Sequence, residues 1–171
     1  MTAVADVVGT PGLSLAAVSF LDSLYTHGFN HATDELATME DFWPDLMKLL
    51  EEPGEGGEEG EEGVSALVLR VLARQLFRRA TPPVEESAKT LLSDASTDAF
   101  CNSTSAAVAA AWRDALVVVC ARHGAWLGAA AAQRLAERVA SALGSALDAP
   151  DAALAATHAR TLLALTRHCG K

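Results

Sequence analysis

The sequence predicts an all-helical protein, organised as a HEAT-like α-solenoid segment of about seven helices, with an irregular helical bundle as the alternative. Three observations lead to this prediction. Apolar residues recur every three or four positions along most of the chain, as they do on one face of a helix. The β-prone run at 117–119 lies inside a long helical pattern, so no strand is expected. Helix pairs recur every forty or so residues, close to the HEAT period.

The first part of the chain predicts three helices. Thr10-Pro11 is typical of an N-cap followed by proline at the first helical position, and Gly28 would end this helix. A short helix at about 30–38 follows, and then one at 40–50, which tolerates Pro44 in its first turn. The apolar positions expected to face the core of the first helix are Leu13, Ala16, Ala17, Phe20, Leu21 and Leu24.

The middle of the chain predicts an amphipathic helix over 64–79. Its arginines, Arg70, Arg74, Arg78 and Arg79, lie mostly away from the apolar face. After Thr81-Pro82-Pro83 a short helix is expected at 84–92, and the polar segment 93–103 is expected to be irregular. The apolar face of the long helix is expected to contain Leu67, Val68, Val71, Leu72, Leu76 and Phe77.

Three helices are predicted in the last third. The first is capped by Ser103 or Ser105, runs to about residue 123 and is closed by Gly124. The second is expected at about 126–147. Asp148-Ala149-Pro150-Asp151 would form a turn and a cap for the last helix, at about 152–168.

An acidic, glycine-rich segment interrupts what is otherwise predicted to be a single helical segment over 1–171. Residues 51–63 read EEPGEGGEEGEEG and hold seven of the 22 acidic residues. Without them the chain has 13 basic against 15 acidic residues, so the body is nearly neutral. A flexible loop is expected here, with an acidic docking strip for a basic partner as the alternative. Such a charge distribution argues against nucleic-acid binding.

No catalytic, cofactor-binding or metal-binding residue is predicted, and no small-molecule substrate is expected. G-x-S-x-G, H-E-x-x-H and P-loop motifs are absent. His27 and His31 have a metal-ligand spacing, but Gly28 would break the helix between them. Cys120 lies on an apolar face near His123, where an inert thiol is expected, and His158 is expected to be a partly exposed helix residue. No apolar stretch reaches the roughly 18 residues of a transmembrane helix.

Four bulky aromatic residues are the most distinctive side chains of a chain with only nine aromatics. We expect them either to anchor one helix against the next or to form hot spots for a partner, since tryptophan is enriched at both kinds of position. They are Phe42, Trp43, Trp112 and Trp126.

The order and spacing of four segments resemble a known family. They are AAVSFLDSLY at 16–25, DFWPDLMKLLEEP at 41–53, AAWRDALVVVCARH at 110–123 and ARTLLALTRHC at 159–169. Together they resemble part of a large α-solenoid scaffold nucleoporin of the nuclear pore inner ring, of the one-eighty-eight class. The resemblance implies that the chain is a fragment of a longer solenoid. The resemblance does not identify any position of this sequence as a partner-binding residue of the family.

The resemblance also implies a function. The expected role is a non-enzymatic scaffold at the nuclear envelope, in the nuclear pore complex, with other scaffold subunits as partners and without a cofactor. The alternative is a HEAT- or armadillo-type interaction adaptor or a transport-receptor-like protein, located in the cytoplasm. A small helical enzyme complete at 171 residues is a third hypothesis, against which the lack of clustered His, Asp, Glu or Cys residues argues.

Overall fold

A computed structural model describes residues 14–51, 63–149 and 151–169. In these ranges the protein is all-helical and has no β-strand, as predicted, but it has nine α-helices instead of about seven. The helices are α1 (Ser14–Thr26), α2 (Asn30–Ala37), α3 (Phe42–Glu51), α4 (Val64–Arg78), α5 (Pro82–Leu91), α6 (Asp94–Cys101), α7 (Ala106–Arg122), α8 (Ala129–Asp148) and α9 (Ala152–Cys169).

The chain divides into two compact units between Ala88 and Lys89, so that α5 crosses the division. We call the part up to Ala88 unit 1 and the part from Lys89 unit 2. The expected N-cap at Thr10-Pro11 lies outside the described residues. So does the acidic loop, apart from its two ends, where α3 ends at Glu51 and Gly63 precedes α4.

Unit 1 is organised around α4, which packs against both α1 and α3. Contacts on two sides explain why this helix buries residues over most of its circumference. The exception is a stripe that carries Arg70 and Arg74. Phe77 lies three residues after Arg74 and therefore on this stripe, so it is 55% exposed and the expectation that it faces the core is wrong. The buried residues of α4 are Ala66, Leu67, Val68, Leu69, Val71, Leu72, Ala73, Gln75 and Leu76.

The buried face of α1 is rotated from the one expected. Ala17, Val18 and Leu21 are buried, whereas Phe20 is 53% exposed. Gly28 does follow the end of the helix, as predicted, and has a φ of 72°. Glycine adopts this left-handed conformation without the steric cost that a Cβ atom imposes.

Unit 2 has α9 packed against both α7 and α8, and α6 packed against the same two helices. Asp151 caps α9 as predicted, since its carboxylate accepts the backbone N–H of Leu154 at 2.9 Å. The cap of α7 is Ser105, whose hydroxyl accepts the backbone N–H of Val108 at 3.3 Å. Both caps satisfy an N–H group that the first turn of a helix leaves without an intrahelical acceptor.

The segment 93–103, expected to be irregular, contains α6. The hydroxyl of Ser93 accepts the N–H of Ser96 at 3.2 Å and caps the helix. Thr97, Phe100 and Cys101 are buried. Their spacing of three and four residues places them on one face of a helix. Because most of the segment is polar, this spacing is not apparent from the sequence.

The helix expected at 126–147 begins three residues later, at Ala129. Gly124–Trp126 forms a single 3-10 turn instead, followed by the buried Leu127 and by Gly128 at the N-cap position. Trp126 therefore lies in the turn that connects α7 to α8.

Candidate functional site

The Phe42-Trp43 pair opens α3 and lies in the core of unit 1. Trp43 is 0% exposed and Phe42 is 3% exposed. Their rings meet edge to face, with centroids 5.3 Å apart and an interplanar angle of 87°. This is one of the favoured geometries for two aromatic rings. Both side chains thus serve as packing groups where α3 begins.

Trp43 also ties down the end of α2. Its indole Nε1 donates a hydrogen bond of 3.0 Å to the carbonyl of Leu36. The next carbonyl, that of Ala37, accepts a hydrogen bond from the hydroxyl of Thr81. The last carbonyls of a helix lack the usual intrahelical donor, and at this end two tertiary hydrogen bonds add to the local one that the backbone N–H of Met39 donates to Leu36 at 3.2 Å. The pattern links α2, α3 and the start of α5 within unit 1.

Trp112 is the corresponding packing group of unit 2. It lies on α7, is 1% exposed and stacks on Phe100 of α6, with ring centroids 5.7 Å apart and an angle of 27°. Its indole Nε1 is buried and has no hydrogen-bond partner among the described residues. Its contribution is therefore apolar packing.

Trp126 differs from the other three aromatic residues because it is only half-buried. The His123 ring stacks on it with centroids 4.2 Å apart and an angle of 14°. The ammonium nitrogen of Lys89 lies 5.9 Å from the centroid of the Trp126 ring, at the outer limit of a cation–π contact. These contacts hold the turn between α7 and α8.

The arginines of α4 bind acidic groups, which the sequence did not indicate. Arg74 Nη1 donates to the backbone carbonyl of Asp22 at 2.9 Å and to the hydroxyl of Thr26 at 2.6 Å, and it lies 2.8 Å from Oδ1 of Asp22. Arg70 approaches the other carboxylate oxygen at 3.9 Å. The Asp22 side chain is only 17% exposed, and these two arginines place positive charge beside a largely buried carboxylate.

One turn further along, Arg78 extends the same row of arginines to α2. It contacts Oδ1 of Asp34 at 3.2 Å and donates a hydrogen bond to the side chain of Asn30. Residues 70, 74 and 78 are four apart, so they lie in line along one side of α4. This row fixes α1 and α2 on α4.

We expect Arg74→Met to destabilise unit 1 by about 1–3 kcal/mol, because it removes two hydrogen bonds and the ion pair of a largely buried carboxylate. The measurement is urea unfolding followed by circular dichroism. Arg79→Met, at an exposed arginine just past the same helix, is the control and should change stability by less than about 0.5 kcal/mol. Equal losses in the two variants would show that the row of arginines adds nothing to the packing of α1.

A second polar link in unit 1 passes through a buried glutamine. The hydroxyl of Tyr25 donates to Oε1 of Gln75 at 2.7 Å, and Nε2 of Gln75 donates to the carbonyl of Arg79 at 2.7 Å. Gln75 is 0% exposed, and both ends of its amide are used. Burial raises the pKa of Tyr25 well above its usual value, so the hydroxyl stays a hydrogen-bond donor.

In unit 2, Arg138 of α8 binds the polar helix α6. Its guanidinium lies 3.5 Å from Oδ2 of Asp94 and pairs with Asp98, and it also donates to the backbone carbonyl of Asp94 at 3.3 Å. Hydrogen bonding to Asp98 raises the pKa of Arg138. Because the sequence predicts an irregular segment at 93–103, these pairs could not be inferred from it.

The closely spaced pairs His27/His31 and Cys120/His123 differ in burial and in their contacts. His31 Nδ1 lies 3.3 Å from Oε1 of Glu35, and both side chains are exposed. His27 is exposed beyond the end of α1. Cys120 is buried on α7, and His123 is stacked on Trp126. Burial raises the pKa of Cys101 to about 11, so its thiolate fraction is negligible at neutral pH.

The described residues include no group of three or more His, Cys, Asp or Glu side chains placed to hold a metal ion. None of the described helices is both long and apolar enough to cross a membrane.

Comparison with known proteins gives no assignment. No family model, no curated protein and no solved structure shows significant similarity to the chain.

Proposed function

We propose that the chain is a segment of a non-enzymatic α-solenoid scaffold of the nuclear pore inner ring, where it holds other scaffold subunits and so supports nucleocytoplasmic transport. The observation that carries the proposal is the position of the four resembling segments. The described residues of these segments lie mainly on α1, α3, α7 and α9, and each of these helices contributes buried residues to its own unit.

Part of the packing within each unit supports a HEAT-like organisation. The contacts of α3 with α4 and of α8 with α9 join consecutive helices. Solenoids are built from such local contacts, which allow an array of helix pairs to lengthen without a single global core. The contacts of α4 with α1 and of α9 with α7 join helices that are not consecutive, and such contacts also occur in the alternative, a helical bundle.

Three of the four aromatic residues are buried, which favours helix packing over partner binding as their role. Phe42, Trp43 and Trp112 are at most 3% exposed. A partner could not reach them without unfolding the unit, so we assign them to helix packing. Partner contacts of the scaffold would then come from exposed side chains.

Cross-linking in isolated nuclei tests the proposal. An amine-reactive reagent can use Lys48 of unit 1 and Lys89 of unit 2, both exposed. We expect cross-links to other scaffold subunits of the nuclear pore, and Lys48→Arg should remove those of unit 1 alone. Cross-links confined to soluble transport receptors or cytoplasmic trafficking proteins would contradict the proposal and favour an interaction adaptor.

A further inference from the structure

His158 is buried in the middle of unit 2, contrary to the partly exposed position expected from the sequence. It lies on α9, which packs against both α7 and α8, and it is 1% exposed. Neither ring nitrogen has a hydrogen-bond partner among the described residues. An imidazole in such a site is compatible with the core only in its neutral form, because a buried charge without a partner is costly.

Its surroundings offer no compensating charge. The one buried titratable side chain on the two neighbouring helices is the thiol of Cys120. The charged residues of those helices are exposed or half-buried, and Arg113 and Arg138 are paired with aspartates. Burial alone lowers the pKa of His158. The charged residues are Arg113, Asp114 and Arg122 on α7, and Arg134, Glu137, Arg138 and Asp148 on α8.

We propose that protonation of His158 at acid pH releases α9 from its packing against α7 and α8. When the imidazole takes up a proton, the helix leaves its place between α7 and α8, and unit 2 opens. The described part of unit 1 has no buried histidine, because both of its histidines, His27 and His31, are exposed. Acid therefore opens unit 2 before unit 1.

The sign of the pH dependence of unit 2 opening follows from proton linkage. Since burial lowers the pKa of His158 in the folded state, the opened state binds the extra proton more tightly. The stabilising contribution of the neutral ring is complete above the ordinary histidine pKa of about 6.5 and is lost as the pH falls below it. One proton raises the opening constant by at most about tenfold per pH unit.

Hydrogen exchange on the whole chain between pH 7.5 and pH 5 measures this effect, with mass spectrometry of peptides and correction for the intrinsic exchange rate. We expect the opening constant of α9 peptides to rise by up to about tenfold per pH unit below pH 6.5, while α4 peptides show no such rise. A pH-independent opening of α9 would overturn the proposal.

Two variants assign the effect to this ring. His158→Leu should abolish the pH dependence of α9 opening, and His123→Gln, at a half-buried histidine of the same unit, should retain it. His158→Gln, a neutral polar side chain, also removes the titrating group and should show no pH dependence even where leucine packs poorly. Retention of the wild-type pH dependence in both His158 variants would overturn the proposal.

Discussion

Replacing Leu116 by aspartate is expected to unfold unit 2. Leu116 is 2% exposed on α7, the helix that packs against α9. A carboxylate at this position would be buried without a partner, which costs several kcal/mol. Whole domains are stable by only about 5–15 kcal/mol, so the substitution removes a large part of the stability. Circular dichroism during thermal unfolding, together with hydrogen exchange of α7 and α9 peptides, measures the loss.

A leucine on the surface of the same unit provides the matched control. Leu147 of α8 is 69% exposed, so Leu147→Asp places the same charge in water. We expect its stability to lie within about 0.5 kcal/mol of the parent protein. Unchanged thermal stability of Leu116→Asp would contradict the position of this residue in the core.

Trp43→Ala is expected to have the largest effect in unit 1. The side chain is 0% exposed, and removing a buried tryptophan costs about 3–5 kcal/mol. The Leu36 carbonyl also loses the indole donor but keeps the backbone N–H of Met39 at 3.2 Å, so the lost hydrogen bond adds about 0.5–1.5 kcal/mol. The two costs share one site and do not simply add. Urea unfolding followed by circular dichroism gives the total.

Trp43→Phe separates the two contributions, because it retains an aromatic ring and removes the indole N–H. We expect it to be less destabilising than Trp43→Ala, with increased hydrogen exchange at the end of α2. Phe20→Ala, at a 53% exposed position of α1, is the control for losing an aromatic ring at the surface. Equal stability of Trp43→Ala and Phe20→Ala would contradict the packing role of Trp43.

Much of the fold could be predicted because it depends on local rules. The cap at Asp151 and the helix stop at Gly28 follow from side-chain and backbone preferences that act within a few residues. The helical spacing of apolar residues likewise located α4 and α7 nearly to the residue. The short helix α6 was missed because its polar composition outweighed the spacing of Phe100 and its buried neighbours.

The interactions that fix one helix on another could not be predicted in this way. Arg74 and Asp22 are 52 residues apart, and a single sequence gives no sign that they meet. His158 was misplaced for a related reason. Amphipathic spacing assumes one buried face, whereas α9 packs against helices on two sides, which buries a position expected to be partly exposed.

For the packing anchors too, the residues could be predicted from the sequence but their contacts with other helices could not. The sequence identified Phe42, Trp43 and Trp112 as bulky residues in a chain with few aromatics, but not which contacts they make. The Leu36 carbonyl and the Phe100 ring, which explain their positions, became apparent only when the helices were placed in space.

Imaging of the endogenous protein, fluorescently tagged in its own cells, tests the proposed scaffold role most directly. The account predicts a punctate nuclear rim that coincides with nuclear pores and persists after permeabilised cells are washed. A diffuse cytoplasmic signal that is lost on washing would contradict stable membership of the pore scaffold.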